Sequence, residues 1–222
     1  MQYTVTVLPG DGIGPDIIRE AVQVVERVGR KFGHHFTFEE RLIGGVAYDQ
    51  TGEPLPQSTL NSALHSDAVL LGAVGGPKWD GLKGEERPEA ALLGIRKALN
   101  LFANIRPAKI YRSLRDACPL RPDIIGEDGL DIVVIRELTG GIYFGPRKRE
   151  IRDGVEMAYD TMLYNENEIR RIAHVAFQSA RKRNHLVTNV DKANVLEVSR
   201  LWRKVVMEVA KEYPDVTLNH LY

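Results

Sequence analysis

One cysteine, Cys118, stands in 222 residues. A lone thiol cannot close an intrachain disulfide, so no disulfide framework holds this fold. Its scarcity suits a reducing compartment such as the cytoplasm. Cys118 sits in DACPLRP with no histidine near it in sequence, which favours a structural thiol over a nucleophile. An excess of one charge is missing too: 30 Lys+Arg balance 30 Asp+Glu, for a formal net charge of +0. Nucleic-acid binders usually carry a basic excess, so nucleic acid is not the expected partner. The short basic runs at 147–149 and 181–183 read as a solvated turn or helix end. No apolar run approaches the length of a membrane span, and the opening MQYTVTVL alternates like a strand, not a signal peptide, so no membrane partner is expected. The six histidines show no HExxH-type metal spacing, and there is no internal repeat or low-complexity segment.

What is present is alternation of short strands with amphipathic helices. Hydrophobic residues make up 43% of the chain, enough for one or two domains with a real core. Tyr3–Leu8 alternates as a strand, and PGDGIGP then makes a tight turn into a helix with Pro15 in its first turn. Ile17, Ile18, Ala21, Val22, Val25 and Val28 form that helix's apolar stripe. Gly10, Gly12 and Gly14 give GxGxG, not the GxGxxG of a dinucleotide-binding turn. The pattern next predicts a strand over Phe36–Leu42, a short helix over Pro56–Leu64 and a buried parallel strand over Ala68–Ala73. That strand runs into GAVGGPKWD, where Gly72, Gly75 and Gly76 either let backbone approach a ligand closely or form a plain loop. Lys78–Glu86 is polar and reads as mobile.

The stretch from Glu89 to Pro107 is the most informative. Ala91, Ile95, Ala98, Leu99 and Phe102 fall on one helical stripe that faces a core. A second face carries Glu89, Leu92, Leu93 and Arg96, two leucines between a carboxylate and a guanidinium. Either this is a surface face whose leucines a loop covers, or it receives a small anion with a greasy group. Arg106 follows just before Pro107, which biases it toward an extended conformation. Arginine can grip a carboxylate with two parallel donors, which lysine cannot. Strands are predicted over Ile105–Tyr111 and Leu130–Arg136, the second delivering RELTGGIYFG with Arg136 at its end and Tyr143 past the Gly140–Gly141 turn. Residues 146–164 alternate as an arm, with Val155, Met157 and Tyr159 on one side. Asn165 and Glu168 form a capping box for a helix to about Arg183, striped by Ile169, Ile172, Ala173, Ala176, Phe177 and Ala180. A strand over Leu186–Val190 leads into DKANVLE, so Lys192 and Asn194 lie in a strand-to-helix loop, where function concentrates. A helix burying Leu201, Trp202, Val205, Val206 and Val209 and a strand over Val216–Tyr222 complete an α/β pattern.

The strings EAALLGIRKALNLFANIRP, RELTGGIYFG and VDKANVLE resemble those of the isocitrate/isopropylmalate dehydrogenase family, and the likeness runs from Tyr3 to Tyr222. The segment with Leu92 and Leu93 resembles the isopropylmalate branch, because isocitrate enzymes usually present a small hydroxylated residue there. The resemblance implies a two-domain α/β fold that opens with a GDGIGP turn but is not a Rossmann fold. It places a first domain over 1–102 and a second over 103–222, both incomplete, with a C-terminal portion missing. It implies NAD-dependent oxidation of 3-isopropylmalate and loss of a carboxylate to give 4-methyl-2-oxopentanoate, in leucine biosynthesis.

Residue by residue, the resemblance makes Lys192 the base for the hydroxyl proton and Tyr143 the final proton donor. Such a lysine works at neutral pH only if burial or neighbouring cations lower its pKa. Arg96, Arg106 and Arg136 would hold the carboxylates, with Leu92, Leu93 and Glu89 completing the substrate face. Gly72, Ala73, Val74, Gly75, Gly76 and Asn194 would lie beside the nicotinamide cofactor. A divalent metal, Mg²⁺ or Mn²⁺, is implied as the Lewis acid for decarboxylation, with aspartate ligands expected beyond Tyr222. None of Asp123, Asp128 and Asp131 reads as such a ligand. A homodimer with shared active sites is implied, the lysine serving its partner's site. On this reading the 222 residues by themselves are expected to be catalytically silent. The alternatives are another β-decarboxylating dehydrogenase (tartrate/malate, homoisocitrate or isocitrate) and a truncated chain that dimerises without turnover.

Overall fold

Strand β1 (Gln2–Gly10) is the centre of the first sheet, flanked in parallel by β2 (His35–Glu40) and β3 (Ala68–Ala73). Val5, Val7 and Leu8 of β1 are buried, as a strand covered on both faces requires. The computed structural model describes residues 1–125 and 129–222 of the chain, which folds as two compact units, Met1–Asn100 and Leu101–Tyr222. Asp128 lies outside the described residues.

In the first unit, helix α1 (Gly14–Phe32) crosses from β1 to β2. Its inward line is Ile18, Val22 and Gly29, not the whole predicted stripe, for Ile17 and Val28 are exposed. The reason lies at Gly29, where a side chain would meet the Phe36 ring and the His34 carbonyl, so the helix turns this bare position onto β2. The short helix α2 (Gly45–Thr51) was not predicted, having too few apolar residues to show a period. Helix α3 (Gln57–His65) and strand β3 stand where the pattern puts them. β3 is an edge strand and only half-buried. The polar stretch after it holds two 3₁₀ turns, Pro77–Trp79 and Gly84–Glu86. Lys78 Nζ donates to Asp49 at 2.6 Å and Trp79 Nε1 to the same carboxylate at 3.2 Å.

Helix α4 (Pro88–Ala98) buries Ala91 and Ile95 against Leu8, Ile43 and Ala63. The predicted stripe does not continue to Phe102. Leu99 leaves helical geometry, and Asn100 takes a left-handed φ of 51°, a conformation its short polar side chain tolerates. Phe102 belongs to the second unit, where the Arg171 guanidinium lies 4.6 Å from its ring centre.

In the second unit, β4 (Ala103–Lys109) pairs antiparallel with β5 (Asp131–Glu137); a 3₁₀ turn, Arg112–Ala117, and the short helix α5 (Pro122–Ile125) lie between them in sequence. The predicted arm is a hairpin of β6 (Arg147–Arg152) and β7 (Val155–Asp160). Its two-residue loop, Asp153–Gly154, has φ of 52° and 78°, the sign that the right-handed twist of paired strands asks for. Ile151, Val155, Met157 and Tyr159 are all exposed on it. Helix α6 (Glu166–Arg181), strand β8 (Leu186–Val190), helix α7 (Glu197–Ala210) and strand β9 (Thr217–Leu221) follow, with β8 and β9 parallel. The core between the two helices is Ile169, Phe177, Val205 and Val209, closed by Tyr213 stacked on Phe177 at 5.1 Å.

The capping box of α6 is formed: Glu168 N–H donates to Asn165 Oδ1 at 3.0 Å, and Asn165 N–H donates to Glu168 Oε2 at 2.9 Å. Asn165→Ala leaves a helix-end donor without its side-chain acceptor. Urea titration is expected to show a loss of about 1 kcal/mol, and an unchanged midpoint would show that the cap contributes nothing.

Candidate active site

Among the described residues, three buried carboxylates at strand ends, Asp11, Glu137 and Asp191, do the same work, each binding backbone N–H groups of the loops around it. Asp11, just past β1, is 3% exposed. Its Oδ2 accepts the N–H groups of Gly45 at 2.8 Å and Gly75 at 2.7 Å, and its Oδ1 accepts that of Val46 at 2.8 Å. A carboxylate without water needs such donors. Asp11 thereby ties the start of α2 to the glycine loop after β3. Gly44, with φ of 82°, has no room for a Cβ beside the same carboxylate.

The loop so held is Ala73–Gly76. Gly75 has φ of 99°, open mainly to glycine, and its bare Cα faces Glu89 Oε1 of α4. Gly76 leaves space bounded only by the Trp79 ring. Gly72 differs, being inside β3 with its Cα packed on the Pro9 carbonyl and on Gly14, so glycine there serves the strand-to-turn packing. The first unit therefore brings together Ala73, Val74, Gly75, Gly76 and Glu89. Further along α4, Leu92, Leu93 and Arg96 are half-buried, and the leucines lie outside the Ala91–Ile95 core cluster.

In the second unit the register of β4 on β5 decides the arginines. Asn104 lies opposite Arg136 and Arg106 opposite Val134, which puts Arg106 and Arg136 on one face as diagonal neighbours. The Arg136 guanidinium lies 5.4 Å from the centre of the Tyr143 ring, whose residue is half-exposed in the 3₁₀ turn Gly141–Tyr143. Glu137 ends β5 with its side chain wholly buried. It accepts the N–H groups of Thr139 at 2.8 Å and Gly140 at 2.7 Å, the Thr139 hydroxyl at 3.0 Å and Arg171 at 2.7 Å. The turn that carries Tyr143 is thus anchored at its root.

Asp191 repeats the device after β8. Its side chain is 2% exposed and takes Arg203 Nε at 2.8 Å, Arg203 Nη2 at 3.0 Å, Ala193 N–H at 2.9 Å and Asn189 Nδ2 at 2.6 Å. Burial works to raise its pKa, and the bonds from Arg203, Ala193 and Asn189 together outweigh burial, so the carboxyl sits below its ordinary value. Lys192 and Asn194, on either side of the held Ala193, are both exposed. Lys192 Nζ lies 6.0 Å from the centre of the Tyr222 ring. Composition and periodicity did not single out Asp11, Glu137 or Asp191. The available signal was an acidic residue placed where an apolar strand gives way to a loop: PGDG, IRELTGG and NVDKAN.

Among the described residues, no three His, Cys, Asp or Glu side chains gather in a way that could hold a metal ion, and no helix is long and apolar enough to cross a membrane.

The family model for isocitrate/isopropylmalate dehydrogenase matches residues 4–222. A 3-isopropylmalate dehydrogenase of Clostridium acetobutylicum is 60% identical over 221 residues, covering 100% of this chain and 62% of that protein. That of Halalkalibacterium halodurans is 54% identical, with 100% and 61% covered. The solved isocitrate dehydrogenase of Methylococcus capsulatus superimposes with a TM-score of 0.81 at 31% identity, over 99% of this chain and 60% of its own. A β-decarboxylating dehydrogenase of Thermococcus kodakarensis in its apo form gives 0.71 at 33% identity, over 99% and 57%. The chain belongs to the isocitrate/isopropylmalate dehydrogenase family, with that family's mixed α/β fold. It spans about three-fifths of the length of the curated relatives it matches.

The lowered pKa of Asp191 sets a direction for stability against pH. Its contribution is complete above the ordinary carboxyl value of about 4 and is lost as pH falls through the lower folded value. Asp191→Asn is therefore expected to melt well below wild type at pH 7, with the gap narrowing only in acid, below about pH 4. Melting curves from pH 3 to pH 7 check it, and a gap that does not change with pH would remove the ionised carboxylate from the account.

Proposed function

We propose that the protein is an NAD-dependent 3-isopropylmalate dehydrogenase, converting 3-isopropylmalate and NAD⁺ to 4-methyl-2-oxopentanoate, CO₂ and NADH. The observation that carries the reading is the shared face of Arg106 and Arg136 with the Tyr143 ring against Arg136. It sets a carboxylate grip beside a phenol that can give a proton. Arg106 and Arg136, with Arg96 of α4, hold the two carboxylates, for which paired guanidinium donors are the natural partner. Lys192 takes the proton from the substrate hydroxyl as hydride departs. Tyr143 returns a proton to carbon once the carboxylate has left. Ala73–Gly76, Glu89 and Asn194 would hold NAD, which would supply the acceptor for the hydride. A divalent metal belongs to this chemistry by family likeness. The described residues do not form a site for one, so the roles assigned to this chain are those of its own side chains.

Leu92 and Leu93 select the isopropyl group, sharing a helix face with Glu89 and Arg96 while standing outside the core. Relatives named for 3-isopropylmalate are 54–60% identical to this chain, against 31% for the isocitrate enzyme, which favours the apolar substrate. The exposed apolar side of the β6–β7 hairpin pairs with a second copy, giving a homodimer in the cytoplasm.

The test is NADH formation with 3-isopropylmalate, isocitrate and malate in turn, using a protein that carries these residues at the length of its relatives. Preference for isocitrate or malate would overturn the assignment. In that protein Lys192→Ala is expected to lower kcat roughly 10²–10⁴-fold with the fold intact; turnover within a few-fold of wild type would remove the lysine from the chemistry. Leu92→Ala is expected to cut the kcat/KM preference for isopropylmalate over malate by about 1–3 kcal/mol. A preference that stays put while stability falls would make the leucine a packing residue only.

A further inference from the structure

In the second unit an unbroken line of contacts joins the turn that carries Tyr143 to the loop that carries Lys192. Tyr164 lies against Gly140 and Gly141, where a Cβ on Gly140 would come within 2.9 Å of its ring and one on Gly141 would overlap its hydroxyl. The φ of 79° at Gly141 adds a second reason for glycine. Burial first and the Glu137 carboxylate second raise the pKa of the Tyr164 phenol, so it stays neutral against the turn. Trp202 of α7 meets the Tyr164 ring edge-on, with ring centres 5.1 Å apart at 67°. The Trp202 indole N–H donates to Asn189 Oδ1 at 2.9 Å. Asn189, 6% exposed, then donates through Nδ2 to Asp191, which holds Ala193 N–H.

We propose that Tyr164, Trp202 and Asn189 are positioning residues, a rigid spine that runs through α7 at Trp202 and sets both the Tyr143 turn and the Lys192 loop. The importance of those loops rests on the dehydrogenase reading. The spine also explains chemistry that packing alone does not require. An apolar side chain at position 202 would fill the same space. The indole offers both an edge for Tyr164 and a donor for Asn189 Oδ1, an acceptor that would otherwise be buried and unmet.

Amide hydrogen exchange on the 222-residue chain tests the spine without substrate. Trp202→Phe keeps a ring beside Tyr164 and deletes the donor. Exchange across Lys192–Val195 is expected to rise about fivefold, the scale of one lost hydrogen bond, while Gly140–Tyr143 stays as in wild type. Trp202→Leu removes the ring as well and is expected to raise exchange in both segments. Val205→Ala, in the core of the same helix, is expected to loosen the unit without singling out either loop. Asn189→Ala breaks the line below Trp202 and should match Trp202→Phe. It decides alone if the tryptophan variants do not fold. Unchanged exchange across Lys192–Val195 in Trp202→Phe or in Asn189→Ala overturns the proposal, as does the same selective pattern in Val205→Ala. Because the readout needs no turnover, it stands apart from the NADH assay that decides the dehydrogenase reading.

Discussion

A carboxylate cut off from water must find donors, and the nearest unclaimed donors in an α/β fold are the N–H groups of loops leaving the strands. The candidate site depends on that necessity. Asp11, Glu137 and Asp191 each end a strand, each has lost its water, and each takes backbone N–H groups from the segment that follows or from a neighbouring loop. Loops are ordinarily the parts of a chain most able to drift. Here the loops bearing Gly75, Tyr143 and Lys192 are pinned at their roots by ionic hydrogen bonds, which are shorter and stronger than neutral ones. The exposed side chains at the tips are free to meet a ligand because the backbone beneath them is not free to move.

The glycines answer the same constraint from the other side. At Gly75 the left-handed φ lets the loop turn its N–H into Asp11 while presenting bare backbone beside Glu89. At Gly141 the backbone bends away so that Tyr164 can lie where a Cβ would be. In both places the acid and the glycine act as a pair, the acid drawing the loop in and the glycine making the approach sterically possible.

Local signals account for much of what the sequence disclosed. Apolar period and cap chemistry located α6 through Asn165 and Glu168, and the apolar runs located β3 and β8 to the residue. Long motif strings located Lys192, Tyr143 and the arginines as a family pattern. What stayed hidden depends on partners distant in sequence. The backbone N–H groups that Asp11 reaches are dictated by where α2 and β3 come to rest, and no window around PGDG contains them. The end of α4 was misjudged because the apolar stripe runs on to Phe102, whereas Asn100 breaks the backbone and hands Phe102 to Arg171 in the other unit. Period reports which side chains want burial, not which core receives them.

The hairpin loop Asp153–Gly154 has a reach well beyond its two residues. With the turn fixed at two, Arg152 faces Val155, and the alternation of β7 sends Val155, Met157 and Tyr159 to one side together. Side chains on a strand change sides at every step. One residue more or fewer in that turn would slide the pairing and send all three apolar groups to the opposite face, with no change to any of them. The apolar side of the arm is therefore written in a length rather than in a composition, and a surface scored residue by residue would miss it.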